Sequence, residues 1–191
     1  MRTVAVAILA GVLASACGST ASTTTTAPDD PPDTITTTME PGAASSDTAA
    51  IYAAALHQLV VGDNTFGGGG NPFTELLVQS SLDPNAGVDG DGAGARPLTE
   101  QEMGAIEATL APLAPVRWID DPEEWRTEDL VPVIEGSAIL GVGPISFDDD
   151  GALVPMSMWC GGLCGTWFTY RVVEAVEGWV VSGIEGAIAI S

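Results

Sequence analysis

The chain has 191 residues, 46% of them hydrophobic, which is enough for one ordinary domain with a real core plus appended segments. It contains no lysine, and five arginines stand against 26 acidic residues for a formal net charge of −21. A surface of that sign repels phosphate backbones, which excludes nucleic acid as a partner; the acidity suits solubility in salt or attraction of cations, and equally a genome-wide compositional bias.

Residues 1–17 read MRTVAVAILAGVLASAC. Arg2 supplies a short positive region, and Val4 to Leu13 is an unbroken apolar run of ten residues. That is the size of a signal-peptide core and well short of the roughly 20 residues that span a bilayer. Ala14, Ser15 and Ala16 then lead into Cys17. The pattern resembles a bacterial lipobox, with Leu13 one position upstream of the usual leucine. The resemblance implies diacylglyceryl transfer to the Cys17 sulfur, cleavage before it, and anchoring on the extracytoplasmic face of the cell membrane through two or more acyl chains such as palmitate. The plainer reading is a secretory peptide with an incidental cysteine. No later segment reads as transmembrane. After Cys17, four arginines face 26 acids, a net −22.

Residues 18–46 are dominated by Thr, Ser, Pro and Ala and hold almost no large apolar side chains, so they cannot offset the entropy of ordering. They read as a disordered tether that spans roughly 30 Å as a coil and about 100 Å when extended.

A single globular domain is expected over residues 47–191. Asp47 is the expected N-cap of a first helix, whose apolar face is Ile51, Tyr52, Ala55, Leu56 and Leu59 and which ends near Val61. A glycine run, Gly67–Gly70, makes a loop, and Phe73–Ser80 reads as a strand. The second helix carries the clearest signal. Thr99 and Glu102 form a capping box, Leu98 and Met103 occupy the staple positions, and Ile106, Leu110 and Leu113 continue the face until Pro112 and Pro115 end it. Val116–Asp120 reads as a strand, broken by Asp121-Pro122. From Gly136 the pattern becomes β. Ser137–Phe147 is one strand or two, and Ala152–Cys160, Thr166–Ala175, Gly178–Ser182 and Ala187–Ser191 follow, joined by turns that include Gly161–Gly165 and Glu185-Gly186. The expected fold class is α+β: two helices packed on a mostly antiparallel sheet with a C-terminal β-meander.

The segments LTEQEMGAIEATL, VRWIDDPEE, WCGGLCGTWFTYRVVE and GWVVSGIEGAIAIS resemble parts of uncharacterised secreted or lipid-anchored actinobacterial proteins. The resemblance covers most of residues 48–191 and is strongest over 159–191. It implies address and fold, and brings no activity, substrate or catalytic residue.

Several constellations invite chemistry. With Cys17 lipidated, Cys160 and Cys164 remain, an even number of thiols in an oxidising compartment, flanking what reads as a hairpin turn. A structural disulfide closing a short loop is the favoured reading, with a contribution of about 1–2 kcal/mol. Unpaired buried thiols, redox work and metal binding are the alternatives, though the C-x-x-x-C spacing is not that of a thioredoxin-like motif. Asp89–Glu100 matches a calcium loop at Asp89, Asp91, Gly94 and Glu100, but Ala93 removes a ligand, no helix precedes it, and Pro97 falls within it. A solvated loop is the plainer reading, and no metal or other cofactor is expected. His57 is the only histidine. A helical wheel puts it opposite the apolar stripe, so it is expected at the surface, and no two-histidine metal site can form. Asp120, Asp121, Glu123 and Glu124, with Asp148–Asp150, are candidate carboxylates for hydrolysis, or else capping and solvated groups, Asp121–Glu124 resembling the first turn of a short helix. Five tryptophans, Trp118, Trp125, Trp159, Trp167 and Trp179, all follow residue 115. They suit either a sheet core or an aromatic binding surface.

Together these features favour a non-enzymatic envelope lipoprotein, a binding or interaction module whose partner is an envelope protein or glycan. An envelope-polymer hydrolase using paired carboxylates is the alternative.

Overall fold

A computed structural model describes residues 41–90 and 92–191. The leader, Cys17, residues 18–40 of the expected tether, and Asp91 of the candidate calcium loop lie outside them. Among the described residues no helix is long and apolar enough to cross a membrane.

Helix α1 runs from Pro41 to Val61. It therefore begins six residues before Asp47, which lies inside the helix and is not its N-cap. The Pro/Gly start at residues 41–42 is the physical reason, since proline is accommodated in a first turn, where its missing N–H costs nothing. The inner face is as expected: Ile51, Ala55, Leu56, Leu59 and Val60 are fully buried. Strand β1 is Glu75–Gln79, the central part of the expected Phe73–Ser80 segment. Helix α2 spans Glu100–Leu110 and is closed by the Thr99–Glu102 capping box. Strand β2 (Val116–Ile119) leads into a 3-10 helix, Pro122–Trp125, which Asp121 caps through the Glu123 amide. Ser137–Phe147 resolves into two strands, β3 (Ser137–Val142) and β4 (Ser146–Asp148). Strands β5 (Gly151–Gly161), β6 (Cys164–Ala175) and β7 (Gly178–Ile190) complete the chain.

The strands form a sheet of order β2-β1-β3-β5-β6-β7, with β4 also paired to β5. β1 is parallel to both β2 and β3, and every other pairing is antiparallel. The parallel pairs follow from their connections: α2 crosses over between β1 and β2, while two-residue turns at Asp149-Asp150, Gly162-Leu163 and Val176-Glu177 force antiparallel neighbours. The C-terminal segment departs from expectation, because Glu185-Gly186 is not a turn between two strands. Residues 178–190 are one strand with register shifts opposite Trp167/Thr169 and Arg171/Val172. Gly186 has φ +75°, a left-handed conformation that suits a bulge as readily as a turn.

Both helices lie on one face of the sheet. Side chains alternate along each strand, so Leu76 and Val78, Ala138 and Leu140, Val154 and Met156, and Phe168 and Tyr170 all enter the helix-side core. Tyr52 and Tyr170 tie that core together. The Tyr52 hydroxyl donates to the Gly143 carbonyl at 3.1 Å, and the Tyr170 hydroxyl donates to Asp63 at 2.7 Å. Burial pushes the Tyr52 hydroxyl up to about 12 and that of Tyr170 higher still, so both remain neutral donors.

Among the described residues Glu102 is the one buried carboxylate, with 3% exposure. Besides capping α2, it accepts both arms of Arg96, at 2.7 and 2.8 Å. Burial opposes its charge, but the Arg96 fork and the Thr99 amide outweigh burial and hold the carboxyl below its ordinary value of 4.5. At intermediate acid pH the unfolded chain therefore takes up the proton first, and the contribution of Glu102 is complete above about 4.5 and is lost as pH falls through the lower folded value. Glu102→Gln should cost about 1–3 kcal/mol at pH 7. It should also flatten the acid limb of a melting-temperature profile between neutral pH and pH about 3; an unchanged limb would remove Glu102 from the acid sensitivity of the fold.

Candidate functional site

The second face of the sheet is built from the other residues of the same strands. Leu77, Ile119, Ile139 and Trp159 form a small buried cluster there, against which Trp125, Ile134 and Trp167 pack. The 3-10 helix and the segment after it lie over one side of this cluster. Arg126 places its guanidinium 4.7 Å from the centroid of the Trp159 ring, and Arg117 sits 5.3 Å from that of Trp125. Trp159 opposes Gly165 across the β5–β6 pair, and Trp167 opposes Ser157, so the two indoles are diagonal neighbours. The Trp167 ring lies over Gly165: a Cβ added there would stand 2.6 Å from its outer edge.

Between the 3-10 helix and the loop after β1 this face sinks into a pocket of about 260 Å³. Its floor carries Ser157, Trp159 and Trp167, and its walls carry Asp83 and Asn85 on one side and Glu123 and Arg126 on the other. Asp83 is held by four hydrogen bonds, one of them from the Ala86 amide to its carbonyl at 3.1 Å. Its amide donates to the Val142 carbonyl at 2.9 Å, one carboxylate oxygen accepts from the Asn85 amide at 2.9 Å, and the other accepts from the Ser157 hydroxyl at 2.9 Å. Arg126 Nη1 donates to Glu123 at 2.6 Å. Its Nε is buried and has no partner among the described residues.

Gly141 makes this convergence feasible. A Cβ on it would lie 2.5 Å from Ser157 Oγ, 2.6 Å from Gln79 Nε2 and 3.1 Å from Asp83 Oδ2. A hydroxyl, an amide and a carboxylate therefore occupy the volume that a side chain at position 141 would fill.

The tryptophans divide between the faces, and none is fully exposed. Trp118 and Trp179 pack on the helix-side core, and Trp125, Trp159 and Trp167 on the other. Of the expected carboxylate candidates, only Glu123 reaches the pocket. Asp120 accepts from the Ser80 hydroxyl, Asp121 caps the 3-10 helix, Glu124 is exposed, and Asp148 pairs with Arg171 at 2.8 Å in the exposed β4–β5 turn region. Cys160 and Cys164 are joined in a disulfide with Cα atoms 5.0 Å apart, across the tight Gly162-Leu163 turn. His57 is exposed and lines a separate, alanine-rich groove between α1, α2 and the start of β7. Asp89 borders a third hollow, beside Pro155 and Thr169. Among the described residues no three His, Cys, Asp or Glu side chains gather closely enough to hold a metal ion.

Gln79, Asp83, Asn85, Gly141 and Ser157 were not singled out by sequence reasoning. Two signals were present: a glycine inside an otherwise apolar strand, and polar residues in phase with Trp159 on strands whose other face is wholly apolar. Compared with family models, curated proteins and solved structures, the chain finds no match.

The crowding at Gly141 yields a stability test. Gly141→Ala should destabilise the fold by about 1–3 kcal/mol through overpacking. Adding Ser157→Ala removes the nearest obstructing atom, and the double variant should recover a measurable part of that loss, with a coupling of about 0.5 kcal/mol or more in urea unfolding. Strict additivity would show that the two positions do not compete for one volume.

Proposed function

We propose that this chain is a non-enzymatic binding module, carried on the outer face of the cell membrane by a lipidated Cys17 and a Thr/Pro/Ser-rich tether, with its ligand site in the pocket on the helix-free face of the sheet. The supporting observation is the convergence of Gln79, Asp83 and Ser157 over Gly141, in one pocket with Trp167 and Arg126. That face holds hydrogen-bonding groups, Asp83 and Ser157 among them fixed by their mutual bond, at the edge of an aromatic cluster, the composition of a small-ligand site. The anchor is supported by the leader: a positive start, an apolar run of ten residues and a small-small-small-Cys junction.

The address has its own test. Cells fed an alkyne-tagged palmitate should label the wild-type chain and not Cys17→Ala, which should leave the membrane fraction; an unlabelled wild-type chain that retains Met1 would end the lipoprotein reading. For the module, the full chain in detergent should cosediment with insoluble envelope material, and Gly141→Val should weaken that by about tenfold or more while its melting curve stays cooperative. Equal cosedimentation of a folded Gly141→Val would remove the pocket from the function.

One observation favours a second reading, an envelope-polymer hydrolase: Asp83 and Glu123 both line the pocket. Each is already engaged by a donor of the protein, Ser157 and Arg126 respectively, an arrangement suited to fixed acceptors. Soluble fragments released from envelope polymer by the wild type, and not by Asp83→Asn or Glu123→Gln, would establish hydrolysis in place of binding.

A further inference from the structure

We infer that the ligand of this pocket is a single neutral sugar ring, presented by an envelope glycan. The inference rests on the binding-module reading and adds the chemical class of the ligand. Three features of the pocket select it.

The first is the mixture of hydrogen-bonding types. Asp83 and Glu123 offer only acceptors, the Arg126 guanidinium offers only donors, and the amides of Gln79 and Asn85 offer both. An ammonium ligand supplies donors alone and leaves the amide and guanidinium N–H groups without an acceptor. A carboxylate or phosphate ligand supplies acceptors alone and sets its charge against two carboxylates. A hydroxyl donates and accepts at once, and a ring bearing several hydroxyls can meet all of these groups without bringing a charge.

The second is electrostatic. Among the described residues Arg126 is the only cationic group on the pocket wall, and Glu123 already neutralises it at 2.6 Å. Within a chain of net charge −21, the site repels anions from a distance as well as at contact.

The third is shape. Small-molecule sites run from about 300 to 1,000 Å³. At about 260 Å³, the pocket is sized for one ring, so the rest of a glycan would remain outside it. Trp159 is only 8% exposed and has its face covered by Arg126, so the indole left to meet the apolar face of a sugar is the half-buried Trp167. Trp159 thus acts as a positioning residue for Arg126, and Trp167 as the platform.

The test uses the full chain in detergent, with calorimetry and intrinsic tryptophan fluorescence. Its probes are D-glucose, D-galactose, D-mannose and N-acetyl-D-glucosamine, with D-glucuronate and D-glucosamine as charged counterparts. At least one neutral sugar should bind saturably with a Kd in the millimolar range, and its charged counterparts should bind about tenfold more weakly or worse. Trp167→Ala and, independently, the more exposed Asn85→Ala should each weaken binding by about threefold or more, with cooperative melting showing both variants folded. Tighter binding of either charged sugar, or neutral binding untouched by both variants, would overturn the inference. So would the failure of every neutral sugar at about 100 mM. If every sugar failed while cosedimentation with envelope material still depended on Gly141, the ligand class would fall and the module would stand; loss of both would sink the two together.

Discussion

Along β5 and β6, side chains at alternate positions leave opposite faces of the sheet, and both faces have work to do. Ala152, Val154, Met156 and Met158 enter the core under the helices, and Ser157, Trp159 and Trp167 build the pocket on the other side. A slip of one residue would exchange the two sets. It would push Ser157 and the indoles against α1 and α2 and turn methionines out to solvent. Register is therefore the constraint from which core and pocket both follow, and it is pinned at several points. The Cys160–Cys164 disulfide closes the β5–β6 hairpin at its turn, Tyr170 on β6 is bonded to Asp63 just beyond α1, and Tyr52 within α1 reaches the Gly143 carbonyl beyond β3. Each tyrosine hydroxyl is buried and would be costly to leave unpaired, so each bond selects one alignment over its neighbours.

The two faces are stabilised differently. On the helix side, large aliphatic and aromatic side chains are almost wholly removed from water, each contributing roughly 1.5–3 kcal/mol by burial. The other face has a small apolar cluster roofed by a single turn of 3-10 helix, and Asp83 on it is fastened to the backbone. Asp83 makes four hydrogen bonds to groups that the fold already fixes, which leaves it little freedom to reorient. Rigid polar groups at the edge of an apolar cluster bind at small entropic cost, because the ordering was done during folding. Gly141 is the complementary device. It contributes no side chain to the face, and the room it leaves is what Ser157, Gln79 and Asp83 share.

Much of the fold was legible because its signals are local. The capping box of α2 needs only Thr99 and Glu102 at the right spacing, and alternation marks β5 and β6 without knowledge of their partners. The disulfide follows from two cysteines across a tight turn. What stayed hidden depends on pairing. Glu185-Gly186 has turn chemistry, and a glycine at positive φ serves a turn or a bulge equally well; only the pairing of Thr169 with Glu185 and of Trp167 with Ala189 shows that β7 continues through it. Likewise Asp83, Gly141 and Ser157 are separated by 74 residues between first and last, and no spacing rule joins them. The tryptophans were visible as a group, but which of them pack under the helices and which border the pocket depends on strand register.

The edge strand bears on where this domain can meet a partner. β7 is the last strand of the sheet and carries exposed Val180, Ile184, Ile188 and Ile190, with Glu185 as its one charge. A long, flat, apolar edge of that kind invites another strand. Two register shifts interrupt it, and each bulge twists the strand and removes groups from the regular hydrogen-bonding row. Glu185 is drawn inward to Arg171 at 3.1 Å, while Arg171 is also held by Asp148, so this stretch of the edge is already engaged with the sheet behind it. The edge is thus broken against pairing, and the groups aimed outward with fixed geometry lie instead on the helix-free face. Selectivity on that face would then come from side chains that the core-forming strands already orient, which ties recognition to the same register that holds the fold.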